Sequence, residues 1–291
     1  MERKAITTEA LFEEFITDRV LKGCTQSSIM NYRVAYAHFR CKSTNELTKE
    51  CYRAYLGVLV QSGLSISSIN HYITHIRAFF YWAMSEGYCA EFKIQRMRGQ
   101  EPTFKAYTKE EIQKLLVCNT KKCSYVEHRC YAIICFILAT GSRANTIINI
   151  KTTDIIGEYV SITTQKNKKP SMIPLSQQCQ RIIKDFRNAW NNDSEWLFSD
   201  RYGKQLTWTG LRLSMANYFA KRNVVYKGVH SLRHTFSREF IINGGNPAVL
   251  QRMLGHSTME VTKRYIYLYS EDCKNAIQSV TPLDTMIIPK K

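Results

Sequence analysis

No apolar run in this 291-residue chain is long enough to cross a bilayer, and residues 1–20 lack the apolar core of a secretory signal. Both absences predict a protein that stays in the cytosol. The ten cysteines include no C-x-x-C pair, so the short paired-ligand knuckle of structural zinc sites is missing. Scattered cysteines in a cytosolic chain are expected to be buried reduced thiols. Cys118, Cys123, His128 and Cys130 could ligate zinc by residue type, but their spacing does not match such knuckles. No metal or cofactor is expected. Internal repeats and low-complexity tracts are absent as well, which excludes solenoid and fibrous architectures.

Acidic residues are also scarce: 24 against 41 Lys and Arg, a formal net charge of +17. Residues 1–100 carry +4 of this and residues 101–291 carry +13. A field of that sign favours a polyanion, and nucleic acid is the commonest polyanion in a cytosol. The 44% hydrophobic content is that of a globular protein, and the length suits two domains with a core each.

The first hundred residues read as four helices. "TTEALFEEFITDRVLKG" sets Leu11, Phe15, Ile16 and Val20 near one stripe and closes on Gly23. "SSIMNYRVAYAHF" repeats the spacing with Ile29, Tyr32, Tyr36 and Phe39. "TKECYRAYLGVLVQSG" offers Thr48 as an N-cap, and the longest stretch buries Ile69, Ile73, Ile76, Phe80 and Ala83. Residues 89–106 break the period with Gly99 and Pro102 and carry several bases, the composition of an interdomain linker. A second unit opens at "YTKEEIQKLL", where Thr108 and Glu111 have capping-box spacing. The nearly all-apolar "HRCYAIICFILAT" predicts a deeply buried helix, broken by "TGSR" and restarted by "RANTIINI". "EYVSITTQKNKKPSMIPLS" alternates on both sides of a turn and predicts a hairpin. Either Met172 with Pro174 or Ile173 with Leu175 forms its inner face.

The stretch "VHSLRHTFSREFIINGGNPAVLQRMLGHSTMEVTKRYIYLY" concentrates chemistry. His230 and Arg233 are neighbours on one helical face, with Leu232, Phe236 and Phe240 on the adjacent apolar stripe. Asn246 caps a second helix with Pro247 at its first position, and Gly255 stops it, so that His256 follows a helix C-terminus. Ser257 and Glu260 cap a third helix, where Tyr265 and Tyr269 share a face and Tyr267 points nearly opposite. Each tyrosine alone would be a packing residue.

Together, "ATGSRANTIINIKTTDI", "ITTQKNKKPSMIPL", "HSLRHTF", "LGHS" and a tyrosine nine residues after that histidine resemble the signature of the tyrosine recombinases, the phage integrase family. The resemblance covers nearly the whole chain. It implies a mainly α fold. A four-helix core-binding (SAM-like) domain would occupy residues 1–88, followed by a basic linker over 89–106. A mixed α/β catalytic domain with a small antiparallel sheet would occupy 107–270, and the tail 271–291 would be exchanged between protomers or packed on its own domain.

The same resemblance assigns Arg143 and Arg233 to the phosphate, His230 to proton transfer with the nucleophile and His256 to a phosphate hydrogen bond. Lys166 would protonate the departing 5′ oxygen, with Lys168 and Lys169 as rivals, and Tyr265 would be the nucleophile. It implies double-stranded DNA as substrate, a 3′-phosphotyrosyl intermediate without ATP or metal, a four-way junction held by four protomers, and an accessory DNA-bending or partner protein. The chemistry agrees: arginines can bridge the oxygens on which charge develops, and preorganised cations there supply a large catalytic term. One departure stands out, Thr146, where many family members have an acid that supports the first arginine. Lys22, Arg33, Arg40, Arg77, Arg96 and Arg98 are candidate DNA contacts, with Lys168 and Lys169 at the hairpin turn. A catalytically inactive DNA-binding module and a type IB topoisomerase are the rival readings.

Overall fold

The computed structural model describes residues 6–39, 46–99, 105–163, 170–190 and 193–255. The chain divides into two compact units, Met1–Pro102 and Thr103–Lys291.

In the first unit, α1 (Thr8–Leu21), α2 (Gln26–Tyr36), α3 (Lys49–Gln61) and α4 (Ile66–Ser85) form a bundle. All four start in the same way. The hydroxyls of Thr7, Thr25, Thr48 and Ser65 each accept from the amide three residues on, satisfying a donor the helix cannot. Aromatic rings fill the core. Phe79 is fully buried and meets Phe12, Phe15 and Tyr36 edge-on at 5.4, 5.7 and 5.9 Å, while Phe12 stacks on Tyr36 at 3.9 Å. Burial of such a ring stabilises by about 1.5–3 kcal/mol, so truncating it would cost the bundle much of its margin.

Two expectations need correcting here. Val20 is 54% exposed, because the buried stripe of α1 ends at Ile16 and the last turn runs on past the core. Cys51 is disulfide-bonded, whereas the seven other described cysteines are free thiols, of which only Cys130 and Cys179 are buried.

The stretch read as a linker is not loose along its first half: Ile94 is 2% exposed in the core of the first unit.

The second unit is built around α6 (Tyr125–Thr140), buried on most sides and packed against α8 (Gln177–Ala189), α9 (Trp208–Ala220) and α10 (Val229–Ile242). The shorter helices are α5 (Lys109–Leu115), α7 (Ala144–Asn149) and α11 (Pro247–Leu254). The capping box of Thr108 and Glu111 is present at α5. A three-stranded antiparallel sheet runs in order β1 (Ile155–Ile156), β2 (Tyr159–Thr163), β3 (Pro170–Pro174). Its register sets Val160 opposite Ile173. Ile173 and Leu175 are buried while Met172 is 48% exposed, which fixes the inner face that sequence left open. Strand β1 was not anticipated, since two residues carry no alternation to read.

Cys118 and Cys123 hydrogen-bond to one another, but the four candidate zinc ligands do not assemble as a set. His128 is buried in α6, and its Nδ1 accepts from Trp190 Nε1 at 3.0 Å. Among the described residues no group of three or more His, Cys, Asp or Glu side chains is placed to hold a metal ion. No described helix is long and apolar enough to cross a membrane.

Candidate active site

Helix α10 is fixed before it presents any reacting group. It leaves Gly228, whose φ of 94° lies in the left-handed region that favours glycine. Tyr107 ties its start down twice: the phenolic oxygen accepts from Lys227 N at 2.8 Å, and Tyr107 N donates to Thr235 Oγ1 at 2.8 Å. Lys227 Nζ also pairs with Glu111 at 2.8 Å. Burial pushes the Glu111 carboxyl up, but the Lys227 bond and the Thr108 amide outweigh it and hold it below its ordinary value. The capping acid of α5 thus also ties α5 to Lys227, two residues before α10.

Arg233 points inward from α10 and is 5% exposed. Its Nη1 donates to Gly141 O at 2.7 Å and its Nη2 to Leu254 O at 2.8 Å. Gly141 caps α6 and Leu254 ends α11, so both carbonyls belong to last turns that lack intrahelical partners. They also carry the negative ends of two helix dipoles, a favourable setting for a cation. The guanidinium is clamped between two helix ends. Close approach at this point requires glycine: a Cβ on Gly141 would lie 2.6 Å from Phe236 Cδ1 and 2.7 Å from Leu254 Cδ2, at a φ of 65°.

Arg143 follows two residues later, as the N-cap residue of α7. Ser142 between them is buried, with its hydroxyl 2.7 Å from that of Thr140, whose own proton goes to Phe136 O. The turn that carries Arg143 is therefore rooted in α6. His230 stands one turn before Arg233. Desolvation first, then the charges of Arg233 and Arg143, hold its imidazole below the ordinary histidine value. Both charges that act on it are cationic: Arg233 from its own helix and Arg143 from the start of α7. Each of these effects favours the neutral imidazole, the form that can accept a proton.

His234, four residues on, was not singled out in the sequence. Burial, His230 and Arg233 push it down to about 4. Sequence reading also missed the two carbonyls that hold Arg233 and the Tyr107–Thr235 bond. Backbone acceptors and long-range side-chain bonds leave no periodic signal to find.

Lys166, Lys168, Lys169, His256, Tyr265 and the tail lie outside the described residues. Helix α11 does end as expected: Asn246 caps it, Pro247 is at its first position and Gly255 closes it with a φ of 60°. Thr146 sits in the first turn of α7, its carbonyl accepting from Ile150 N at 2.9 Å. In the first unit, Lys22 pairs with Asp18 at 3.0 Å and Arg33 grips Glu13 with both terminal nitrogens, so their charges are engaged within the bundle. Arg77 lies over the Tyr81 ring at 5.9 Å, Arg96 donates to Thr74 Oγ1 at 2.8 Å, and Arg98 is exposed. Arg40 is outside the described residues.

Residues 105–271, more than half of the chain, match the model of the phage integrase family, and residues 25–87 match its N-terminal SAM-like domain. The chain belongs to the phage integrase family. It is 26% identical over 292 residues to the tyrosine recombinase XerA of Pyrococcus furiosus, covering 99% of both chains. Its fold is similar to that of a lambda integrase tetramer bound to a Holliday junction, with a TM-score of 0.73 over 90% of this chain and 78% of that one at 15% identity. It is also similar to the Tn1549 transposon integrase in complex with transposon right end DNA, with a TM-score of 0.75 over 89% of this chain and 94% of that one at 17% identity. These neighbours share the mainly helical fold with a small antiparallel sheet. Family membership makes this integrase-family chain an enzyme that breaks and rejoins DNA strands.

Proposed function

We propose that the chain is a site-specific DNA recombinase acting on double-stranded DNA in the cytosol, with Tyr265 as nucleophile. The Tyr265 oxygen attacks the scissile phosphorus and the P–O5′ bond breaks. The phosphate stays on the enzyme as a 3′-phosphotyrosyl ester, and the departing 5′ oxygen takes a proton from Lys166. His230 accepts the tyrosine proton, Arg143 and Arg233 neutralise the charge that develops on the non-bridging oxygens, and His256 donates to the same phosphate. A 5′ hydroxyl from a second duplex then attacks the ester and restores the tyrosine. The ester conserves the bond energy, so the reaction needs no external energy source.

The observation that carries this reading is Arg233 clamped by two helix ends on the helix of His230, whose neutral form the Arg233 and Arg143 charges favour. A base that must take a proton from tyrosine has to be neutral, and a cation that must hold a phosphate has to be in place beforehand. Four protomers would perform two such rounds through a four-way junction. A groove of about 580 Å³ lined by Tyr107, Ile112, Leu138, Phe236 and Phe240 supports this, as a seat for the amphipathic Ala276, Ile277 and Val280 of a neighbour's tail.

The test is a nicked substrate that traps the covalent complex, with wild type, Tyr265→Phe and Tyr269→Phe compared. A protein–DNA band on a denaturing gel, lost only in Tyr265→Phe, is expected. No band from any variant, on DNA the protein binds, would instead identify an inactive DNA-binding module. Relaxation of random supercoiled plasmid would identify a topoisomerase. Deleting residues 271–291 should spare the covalent band and prevent tetramer assembly.

A further inference from the structure

The segment after α4 is fastened along that helix by four successive anchors. Ile94 N donates to Tyr81 Oη at 3.3 Å. Arg96 Nη2 donates to Thr74 Oγ1 at 2.8 Å. Asn70 takes the backbone of Met97 on both sides, accepting from its N–H at 2.8 Å and donating to its carbonyl at 2.9 Å. At Gly99 a Cβ would lie 2.7 Å from Ile66 Cγ2, so the backbone itself presses on the helix. Read upward in sequence, the segment meets α4 at residues 81, 74, 70 and 66, so the two run antiparallel. Those positions, with Arg77, recur at intervals of three or four and share one face of α4. Tyr52 Oη adds a bond to Gln95 O at 3.3 Å, and Ile94 is buried beneath.

The bonds close a ring. Arg96 donates to Thr74 Oγ1, whose proton goes to Asn70 O at 2.7 Å, and the Asn70 side chain holds Met97, the residue next to Arg96. Two hydrogen bonds from one amide fix both position and rotation of a peptide unit, which a single bond or an apolar contact cannot do. Lys93, Arg96 and Arg98 are exposed, and none of them forms an ion pair among the described residues. Lys22 and Arg33, by contrast, are paired with carboxylates of their own bundle.

We infer that Asn70 is a positioning residue for DNA binding: by bracketing Met97 it holds Arg96 and Arg98 beside Arg77 as one fixed row of phosphate contacts. This rests on the DNA-binding reading above and adds to it which cations carry the backbone contact and what holds them. Without the bracket the same arginines lie on a freer strand, and ordering them costs more than a screened phosphate contact returns, so the contacts are not made.

The test uses the full chain and a fluorescent random-sequence duplex, since phosphate contacts do not depend on sequence. Affinity is measured against salt concentration. Each phosphate contact contributes about 0.9 to the slope of log K against log salt, so Arg96→Ala with Arg98→Ala should lower that slope by about 2. Asn70→Ala should lower it by about 1 to 2 although asparagine is neutral and releases no counterion itself. Added to the arginine pair, it should lower the slope no further. A residue that only stabilises the bundle would shift its unfolding temperature and leave the slope alone. A folded Asn70→Ala protein with the wild-type slope overturns the inference. If that variant fails to unfold cooperatively, Asn70→Ser takes its place; its short hydroxyl cannot bracket the Met97 peptide on both sides, and a wild-type slope there overturns the inference equally. Wild-type binding with a slope indifferent to both arginines refutes the row and leaves the DNA-binding reading standing. A wild-type chain that does not bind the duplex refutes both.

Discussion

Arg233 and Arg96 are held by opposite means. Arg233 is buried, and its partners are two backbone carbonyls at helix ends, which cannot move without shifting whole helices. Arg96 is exposed, and its partner is one threonine hydroxyl. The difference matches what each cation would do in the proposed reaction. A charge that stabilises a transition state must be in place before the reaction and must not spend energy reorienting, which favours rigid dipoles in a dry site. A charge that meets DNA backbone through water has to stay exposed so that it can release counterions, while the segment that carries it is held by its neighbours.

The strongest way to break this comparison is to exchange each arginine for lysine. Arg233→Lys keeps the charge but loses the planar fork that spans two carbonyls. Covalent complex formation should fall by about 10²–10³-fold, because the cation no longer sits where charge develops. The two carbonyls left behind should also lower stability by about 1–3 kcal/mol. Arg96→Lys should change DNA affinity less than about threefold, since a phosphate contact depends chiefly on charge. Trapping rates and binding isotherms measure the two effects, and losses of equal size would remove the distinction.

Backbone offers a second, smaller contrast. Gly141 and Gly23 have nearly the same left-handed φ, 65° and 75°, yet a Cβ on Gly23 meets nothing within 4 Å while one on Gly141 meets Phe236 and Leu254. Gly23→Ala should cost about 1 kcal/mol, the penalty of the left-handed conformation alone. Gly141→Ala should cost about 2–4 kcal/mol, because overpacking is added to it. Urea unfolding, read on the transition of each unit separately, gives both numbers. Equal costs would mean that Phe236 and Leu254 yield freely, and then Arg233 would not be held rigidly either.

The same contrast explains what could be read from the sequence. Caps and stops are local, and Thr48, the Thr108–Glu111 box, Asn246, Pro247 and Gly255 all act as their residue types dictate. The inner stripe of α4 was legible because 3.6-residue periodicity is strong over twenty residues. In the site, His230 and Arg233 were legible as neighbours because they lie three apart on one helix. What held Arg233 was not legible, since Gly141 O and Leu254 O come from residues whose side chains say nothing about it. The fastening of segment 93–99 to α4 was not legible for a related reason. Its charges and Gly99 suggest a loop, whereas Asn70, which fastens it, looks like any polar residue on an exposed helix face.

The mildest probe uses protons. His234 lies one turn beyond His230, and burial, His230 and Arg233 push it down to about 4. In the unfolded chain it would titrate near 6.5. Between those two values the unfolded state binds the proton and the folded state refuses it, so stability rises with pH across that window. The contribution is complete above about pH 6.5 and is lost as the solution is acidified toward 4, amounting to about 1–2 kcal/mol between pH 7 and pH 5. His230 shifts in the same direction and adds to the slope. His234→Gln should flatten the dependence of the second unit's unfolding free energy on pH without reversing it. In the first unit His75 is also held down, by burial first and then by His71, and the His234 variant should leave that unit's pH dependence unchanged. An undiminished slope in the second unit would show that His234 takes its proton as readily in the fold as out of it. Burial first, and the charge of Arg233 after it, would then weigh less on His234 than its place on α10 implies.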